Sequence, residues 1–166
     1  MRVVPRLACA MVVVAVIAGA PRAAGAETSP KPSRQEAFRA REAKRELPHV
    51  RKAYGHLREP KLPQGFLLVT AASGGVGVDL AWHRARDDAF VHLWQSRATS
   101  TLLGDKDPAD PTTGTPITIE GETWVHNTIN ACELTTCLSR RFDNGDVVSL
   151  NGTLPFAQLR RIAASL

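Results

Sequence analysis

Five histidines, three tryptophans and two closely spaced cysteines are the residues of this 166-residue chain that could do chemistry. The histidines are His49, His56, His83, His92 and His126. No pair makes His-x-x-x-His, and none sits in a glutamate-containing zinc motif. His83 and His92 fall on what read as adjacent strands. A short hairpin sets His83 opposite Ala89 and His92 opposite Leu80, a poor match for a ligand pair. No Gly-x-Ser-x-Gly elbow is present to activate a serine. Ser73-Gly-Gly-Val-Gly77 is glycine-rich but runs into a strand, and it lacks the Lys-Ser/Thr of a phosphate loop. Asp105, Asp107 and Asp110 could offer oxygens to calcium, without the glycine and terminal glutamate of a hand-like loop. The pattern leads us to expect no catalytic residues, no metal and no cofactor.

Trp82, Trp94 and Trp124 are more suggestive. Three tryptophans on a small sheet could line a groove for a lipid, a glycan or a peptide; core packing is the competing use of such rings. Cys132 and Cys137 enclose Glu-Leu-Thr-Thr. A bond between them would close a small ring across a turn between two strands, with an effect on the order of 2 kcal/mol. A disulfide is the favoured reading over metal, because two cysteines cannot fill a tetrahedral zinc site. The spacing is not that of Cys-x-x-Cys redox motifs.

The compartment expected from the N-terminus permits such a bond. Arg2 and Arg6 precede an uncharged apolar run from Leu7 to Ala20, and Ala24-Gly25-Ala26 is a small-x-small cleavage site. Residues 1–26 therefore read as a signal peptide cleaved before Glu27. The run is too short for a comfortable span, which takes about 20 residues. A secreted or periplasmic chain with no transmembrane segment after cleavage is the expectation. Taking Arg2, Arg6 and Arg22 from the 21 basic residues leaves 18 against 16 acidic ones, a formal +2. Nothing in that balance suggests nucleic acid.

The elements that would position these residues follow from local pattern. Residues 27–32 read as a disordered leader, and 33–61 as a helical segment. Ser33 and Glu36 form a capping box, and good helix formers run from Gln35 to Leu47. Pro48 should end or kink that helix, with a second short piece possible over Val50–Leu57. Phe66–Ala71 reads as a buried strand. Val76, Val78, Leu80 and Trp82 alternate with small or polar residues, a half-buried strand, and Phe90–Gln95 returns after Asp87-Asp88. Ala98–Pro116 reads as a long acidic loop. A two-residue turn at Glu120-Gly121 sets Ile117 opposite Trp124. Two registers compete for the last hairpin. The three-residue loop ending in Gly145, with Leu138 opposite Leu150, is favoured because it keeps Leu138, Phe142, Val148 and Leu150 on one face. Asn151-Gly152 reads as a turn and Thr153 or Leu154 as a cap. Leu159, Ile162, Ala163 and Leu166 then form the stripe of a final helix.

The tail from Leu138 to Leu166 resembles the end of the DUF4367 family of extracytoplasmic domains. The matching positions are Phe142, where tryptophan is common, Gly145, Leu150, Gly152, Leu159 and Ile162-Ala-Ala-Ser-Leu166. Gly65-Phe-Leu-Leu-Val, Val78-Asp-Leu-Ala-Trp82 and Val91-His-Leu-Trp-Gln-Ser96 extend the likeness over about 62–166. The matched positions are packing positions. Relatives form outer parts of anti-sigma factors and neighbour lipoprotein-carrier-like proteins. The resemblance implies an exported antiparallel sheet with a helix.

The expected fold is α+β: an antiparallel curved sheet of six or seven strands with an N-terminal helix, and a C-terminal helix packed on it. The expected function is non-enzymatic binding or sensing outside the cytoplasm, with an envelope lipid or protein as partner. A small secreted hydrolase, or an interaction protein acting through the acidic loop at 99–116, is the alternative.

Overall fold

The computed structural model describes residues 31–75, 77–97, 109–127 and 136–166. The signal segment, most of the leader, Val76, most of the acidic loop and Cys132 lie outside the described residues.

Helix α1 spans Arg34–Tyr54. Its start is the expected capping box: Glu36 N donates to Ser33 Oγ at 3.1 Å, and Ser33 N donates to the Glu36 carboxylate at 2.7 Å. Pro48 does not end it, contrary to the sequence expectation, and no separate second helix follows. Proline removes one helical hydrogen bond, a cost of about 3 kcal/mol. Packing on the far side of Pro48 offsets it, because Val50 and Tyr54 are buried in the core. Gly55 then closes the helix with a positive φ of 80°, its N–H donating to Arg51 O.

Seven antiparallel strands follow: β1 Leu67–Ser73, β2 Gly77–Arg84, β3 Ala89–Ser96, β4 Gly114–Ile119, β5 Glu122–Asn127, β6 Thr136–Arg141 and β7 Val147–Gly152. Helix α2, Phe156–Ala163, follows β7. The strand order is β1-β2-β3-β7-β6-β5-β4. Two meanders, β1–β3 and β4–β7, therefore meet at β3 and β7, and each contributes one outer edge. Pro116 sits on the edge strand β4, where a missing amide proton breaks no ladder bond on the open side. This corrects the loop boundary. Gly114, Thr115 and Pro116 pair with Asn127, His126 and Val125, so the loop ends earlier than composition implied. Strand β1 is the other edge, packed by α1, and none of its residues is buried, contrary to the sequence expectation.

Val78, Leu80, Trp82, Val91, Leu93, Trp124, Leu138, Val148 and Leu150 share one face by pairing register. Leu47, Val50 and Tyr54 of α1 and Leu159 and Ile162 of α2 join the same cluster, so both helices cover that face. Each fully buried leucine contributes about 2 kcal/mol. The last hairpin has the expected register, Leu138 opposite Leu150 and Arg140 opposite Val148, with Gly145 at φ 84°. Ile117 faces Trp124 as expected. The β2–β3 register differs by one residue. Residues 85–88 make the turn, Asp88 takes a positive φ of 52°, and His83 faces Phe90 while His92 faces Ala81. The turn is held by Arg84, whose guanidinium is bound by both oxygens of Asp87 at 2.8 and 2.7 Å and stacks on Phe66.

Asn151 and Gly152 belong to β7 instead of a turn. The cap of α2 is likewise not the expected one. Pro155 precedes the helix, and the Thr153 hydroxyl accepts from Phe90 N across the sheet at 3.1 Å. The stripe of α2 is as expected, with Leu159, Ile162 and Ala163 buried and Leu166 packed against the core.

One polar side chain ties these layers together. Gln95 on β3 is fully buried on the helix-covered face. Its Oε1 accepts from Arg58 N at 2.9 Å, and its Nε2 donates to His56 O at 2.9 Å and Asp146 Oδ2 at 3.0 Å. Asn144 Nδ2 also donates to Asp146 Oδ2. The segment after α1 is thus fastened to β3 and to the β6–β7 turn. Beside it, the Tyr54 hydroxyl is buried with no hydrogen-bond partner among the described residues. Burial first, then the Asp146 charge, pushes the Tyr54 phenol up to about 12.

Replacing Gln95 with Ala should therefore cost about 2–3 kcal/mol in chemical denaturation, because it orphans buried partners. Tyr54→Phe should leave stability at neutral pH unchanged or raise it by up to about 1 kcal/mol. Tyr54 is the only tyrosine, so its ultraviolet titration reads this site alone. The native state keeps its proton where the unfolded chain loses it, so stability should fall between pH 10 and about 12. Tyr54→Phe should remove that fall.

Candidate functional site

Strand β3 alternates. Val91, Leu93 and Gln95 point to the helix-covered core, and Phe90, His92 and Trp94 take the opposite face, each only half-buried. On β2 the same outer face carries Asp79, Ala81 and His83, and on β7 it carries Ser149 and Asn151. Asp79 and Trp94 are direct cross-strand partners, as are His92 and Asn151. The result is a stripe of three rings bordered by polar side chains.

Its centre is a hydrogen-bonded row. His92 Nε2 lies 2.6 Å from Asp79 Oδ1, and Asn151 Nδ2 lies 3.2 Å from His92 Nδ1. Both contacts are satisfied when Nε2–H donates to the carboxylate and Nδ1 accepts from the amide. The ring is then held by both nitrogens and has none left to act as a base. Ser149 and Ser139 continue the row with their hydroxyls 2.9 Å apart, and Asn127 Nδ2 donates to Ser139 Oγ at 3.4 Å. Toward β5 and β6 this face is buried at Val125, Asn127, Cys137 and Ser139, whereas Asp79, His92 and Trp94 stay reachable from solvent.

His83 is also held at both ring nitrogens, but each of them faces a carboxylate. Its Nδ1 meets the Glu36 carboxylate of the α1 capping box, and its Nε2 lies 2.8 Å from Asp88 Oδ1. Glu36 is held below the usual carboxylate range by hydrogen bonds from Ser33, hydroxyl first and then backbone, and by His83. The histidine therefore locks the start of α1 to the β2–β3 turn. His126 stacks on Phe156, centroids 4.9 Å apart, between β5 and α2. Among the described residues no group of three or more His, Cys, Asp and Glu side chains is arranged to hold a metal ion.

The three tryptophans are not brought together. Trp124 is 1% exposed and packs edge-on to Phe142 at 6.4 Å between centroids. Trp82 lies on the helix-covered face against the core. Trp94 alone projects to the outer face. Lying on neighbouring strands does not place rings together, because Trp82 and Trp94 occupy opposite phases of paired strands. Cys137 is buried on β6 opposite Asn151; its expected partner Cys132 lies outside the described residues. The cleavage-site residues Ala24, Ala26 and Glu27 do so too.

Asp79 and Asn151 are not marked out by the sequence, and His92 stands out there only as a poorly matched ligand partner for His83. The signal was present in the alternation of β2 and β3, but a turn one residue too short concealed it. Asn151 was hidden by its neighbour glycine, which reads as a turn. Gly152 is instead required by packing, since a Cβ there would lie 2.5 Å from Phe90 O.

Comparison with protein-family models, with curated proteins and with solved structures yields no match. The likeness to the DUF4367 family thus rests on the packing positions quoted above.

The Glu36 contribution to stability is present above its ordinary value of 4.5 and is lost as pH falls through its lower folded value. Thermal melts from neutral pH into the acid range should show a shallower decline for Glu36→Gln than for the unaltered chain. Identical slopes would mean that the helix start does not titrate with folding.

Proposed function

We propose that this protein is an exported, non-enzymatic binding domain whose ligand lies across the outer face of β2, β3 and β7. The observation that carries the reading is the half-exposed Trp94 ring beside a fixed row of hydrogen-bonding groups, Asp79, His92 and Asn151. A flat ring takes the apolar face of a ligand, while carboxylate and amide fix its polar edge. That combination favours a glycan of the cell envelope over an acyl chain. A groove built of all three tryptophans plays no part in this reading, because Trp124 and Trp82 serve the core.

The commitment of both His92 nitrogens and both His83 nitrogens supports binding over hydrolysis. A general base needs a free nitrogen within reach of the proton it removes. Rigid side chains already hydrogen-bonded to one another suit recognition, since little entropy is lost on contact.

Export remains part of the proposal, on the cationic start, apolar run and Ala24-Gly25-Ala26 of the N-terminus. Mass spectrometry of the protein recovered from outside its own host cells should give a chain starting at Glu27. Its mass should be two hydrogens short of the reduced form, as a Cys132–Cys137 bond requires. A full-length reduced chain would overturn both points.

Soluble cell-wall oligosaccharides titrated into the mature protein should change tryptophan fluorescence saturably. Trp94→Ala should abolish that response with little change in melting temperature. Trp124→Ala should instead cost about 3–5 kcal/mol of stability. Unimpaired binding by Trp94→Ala in calorimetry would sink the proposed site.

A further inference from the structure

On the helix-covered side, away from Trp94, a cleft of about 350 Å³ opens between the segment after α1, the β2–β3 turn and α2. Lys61, Arg86 and Arg161 line it, one from each of those three elements, and all three are exposed. None of them is in an ion pair among the described residues. Arg84 at the inner wall is buried, and its charge is taken up by both oxygens of Asp87. Arg86 also helps to hold the Asp87 carboxyl low, after the larger effect of Arg84. No acidic side chain lines the cleft itself. Leu62 and the buried Ile162 give it an apolar wall, and Gln158 adds an amide.

These cations are distant in sequence and are gathered only by the fold. Two hydrogen bonds join two of the three elements: Lys61 N donates to Ser165 Oγ at 2.8 Å, and Ser165 Oγ donates to Ile162 O at 2.6 Å. Like charges held around one opening repel each other unless an anion sits between them. Two guanidinium forks and an ammonium match the oxygens of a phosphate group, which can accept several charge-assisted hydrogen bonds at once. The volume is that of a small-ligand site.

We propose that this cleft is a binding site for a phosphate group, with Arg86, Arg161 and Lys61 as its ligands and Gln158 as a supporting donor. The group is carried by a soluble phosphate or by the headgroup of an anionic phospholipid. The site is independent of the glycan-binding proposal, being on the opposite side of the sheet.

The test uses the mature chain, inorganic phosphate in calorimetry, and phosphatidylglycerol against phosphatidylcholine vesicles in co-sedimentation. The variant is Arg86→Gln with Arg161→Gln. The control, Arg39→Gln with Lys44→Gln, removes the same charge from the exposed side of α1. The expected result is saturable binding that the cleft pair weakens about tenfold and the control pair leaves unchanged. Binding of phosphate itself assigns a soluble ligand; binding of phosphatidylglycerol vesicles alone assigns a headgroup. Circular dichroism melts establish that both variants are folded, and Arg161→Glu alone should weaken binding further than Arg161→Gln. Binding to neither probe, or equal weakening by both pairs, overturns the proposal.

Discussion

The buried amide of Gln95 is the constraint around which the layers are arranged. A strand residue facing a hydrophobic core is ordinarily apolar, and an unpaired amide there would be costly. Gln95 avoids the cost because three residues from two separate parts of the chain supply its partners: His56 and Arg58 after α1, and Asp146 at the β6–β7 turn. Specificity follows from this. The segment after α1 cannot slide along the sheet without leaving buried donors and acceptors unmatched. Arg58 adds to the anchor, its guanidinium 3.6 Å above the Phe142 ring and its Nη1 donating to Leu166 O. The chain end, the turn and the first helix are thereby held at one corner of the core.

The two faces of the sheet consequently have different characters. The helix-covered face is closed by leucine, valine and Trp124, with Gln95 tying it to the linker. The outer face carries polar side chains that satisfy one another: Asp79 with His92, His92 with Asn151, Ser149 with Ser139. Mutual satisfaction makes these groups rigid at low cost. It also explains how a face with few large apolar residues can be half-buried without destabilising the fold.

Much of the architecture was legible in the sequence, and the residues show why. Local physics governs the Ser33–Glu36 box, the Gly145 turn, the Ile117–Trp124 pair and the stripe of α2, and all four are found as read. Readings failed where tertiary packing outweighs local preference. Pro48 stays inside α1 because buried residues follow it, and Pro116 is accepted in a strand because the strand is an edge. Thr153 forgoes the helix cap for a bond to β3. The neighbour relation of β3 and β7 could not be read at all, since no local signal connects strands so far apart. The outer-face row depends on that relation and on a four-residue turn, so local pattern does not reveal it, while of the tryptophans, conspicuous by type, only Trp94 lies on that face.

The join between β3 and β7 has a consequence for how the molecule comes into being. The first meander is complete once β3 has been synthesised, yet the far side of β3 stays open until β7, made only after β4, β5 and β6. In that interval β3 is an unprotected strand with Val91 and Leu93 on one side and Trp94 on the other. Such a strand can accept any passing extended chain. Gln95 is also without its Asp146 partner during the same interval. A chain halted before residue 147 would therefore be more than truncated: it would be an adhesive fragment, and cells making this protein have reason either to finish it or to destroy it.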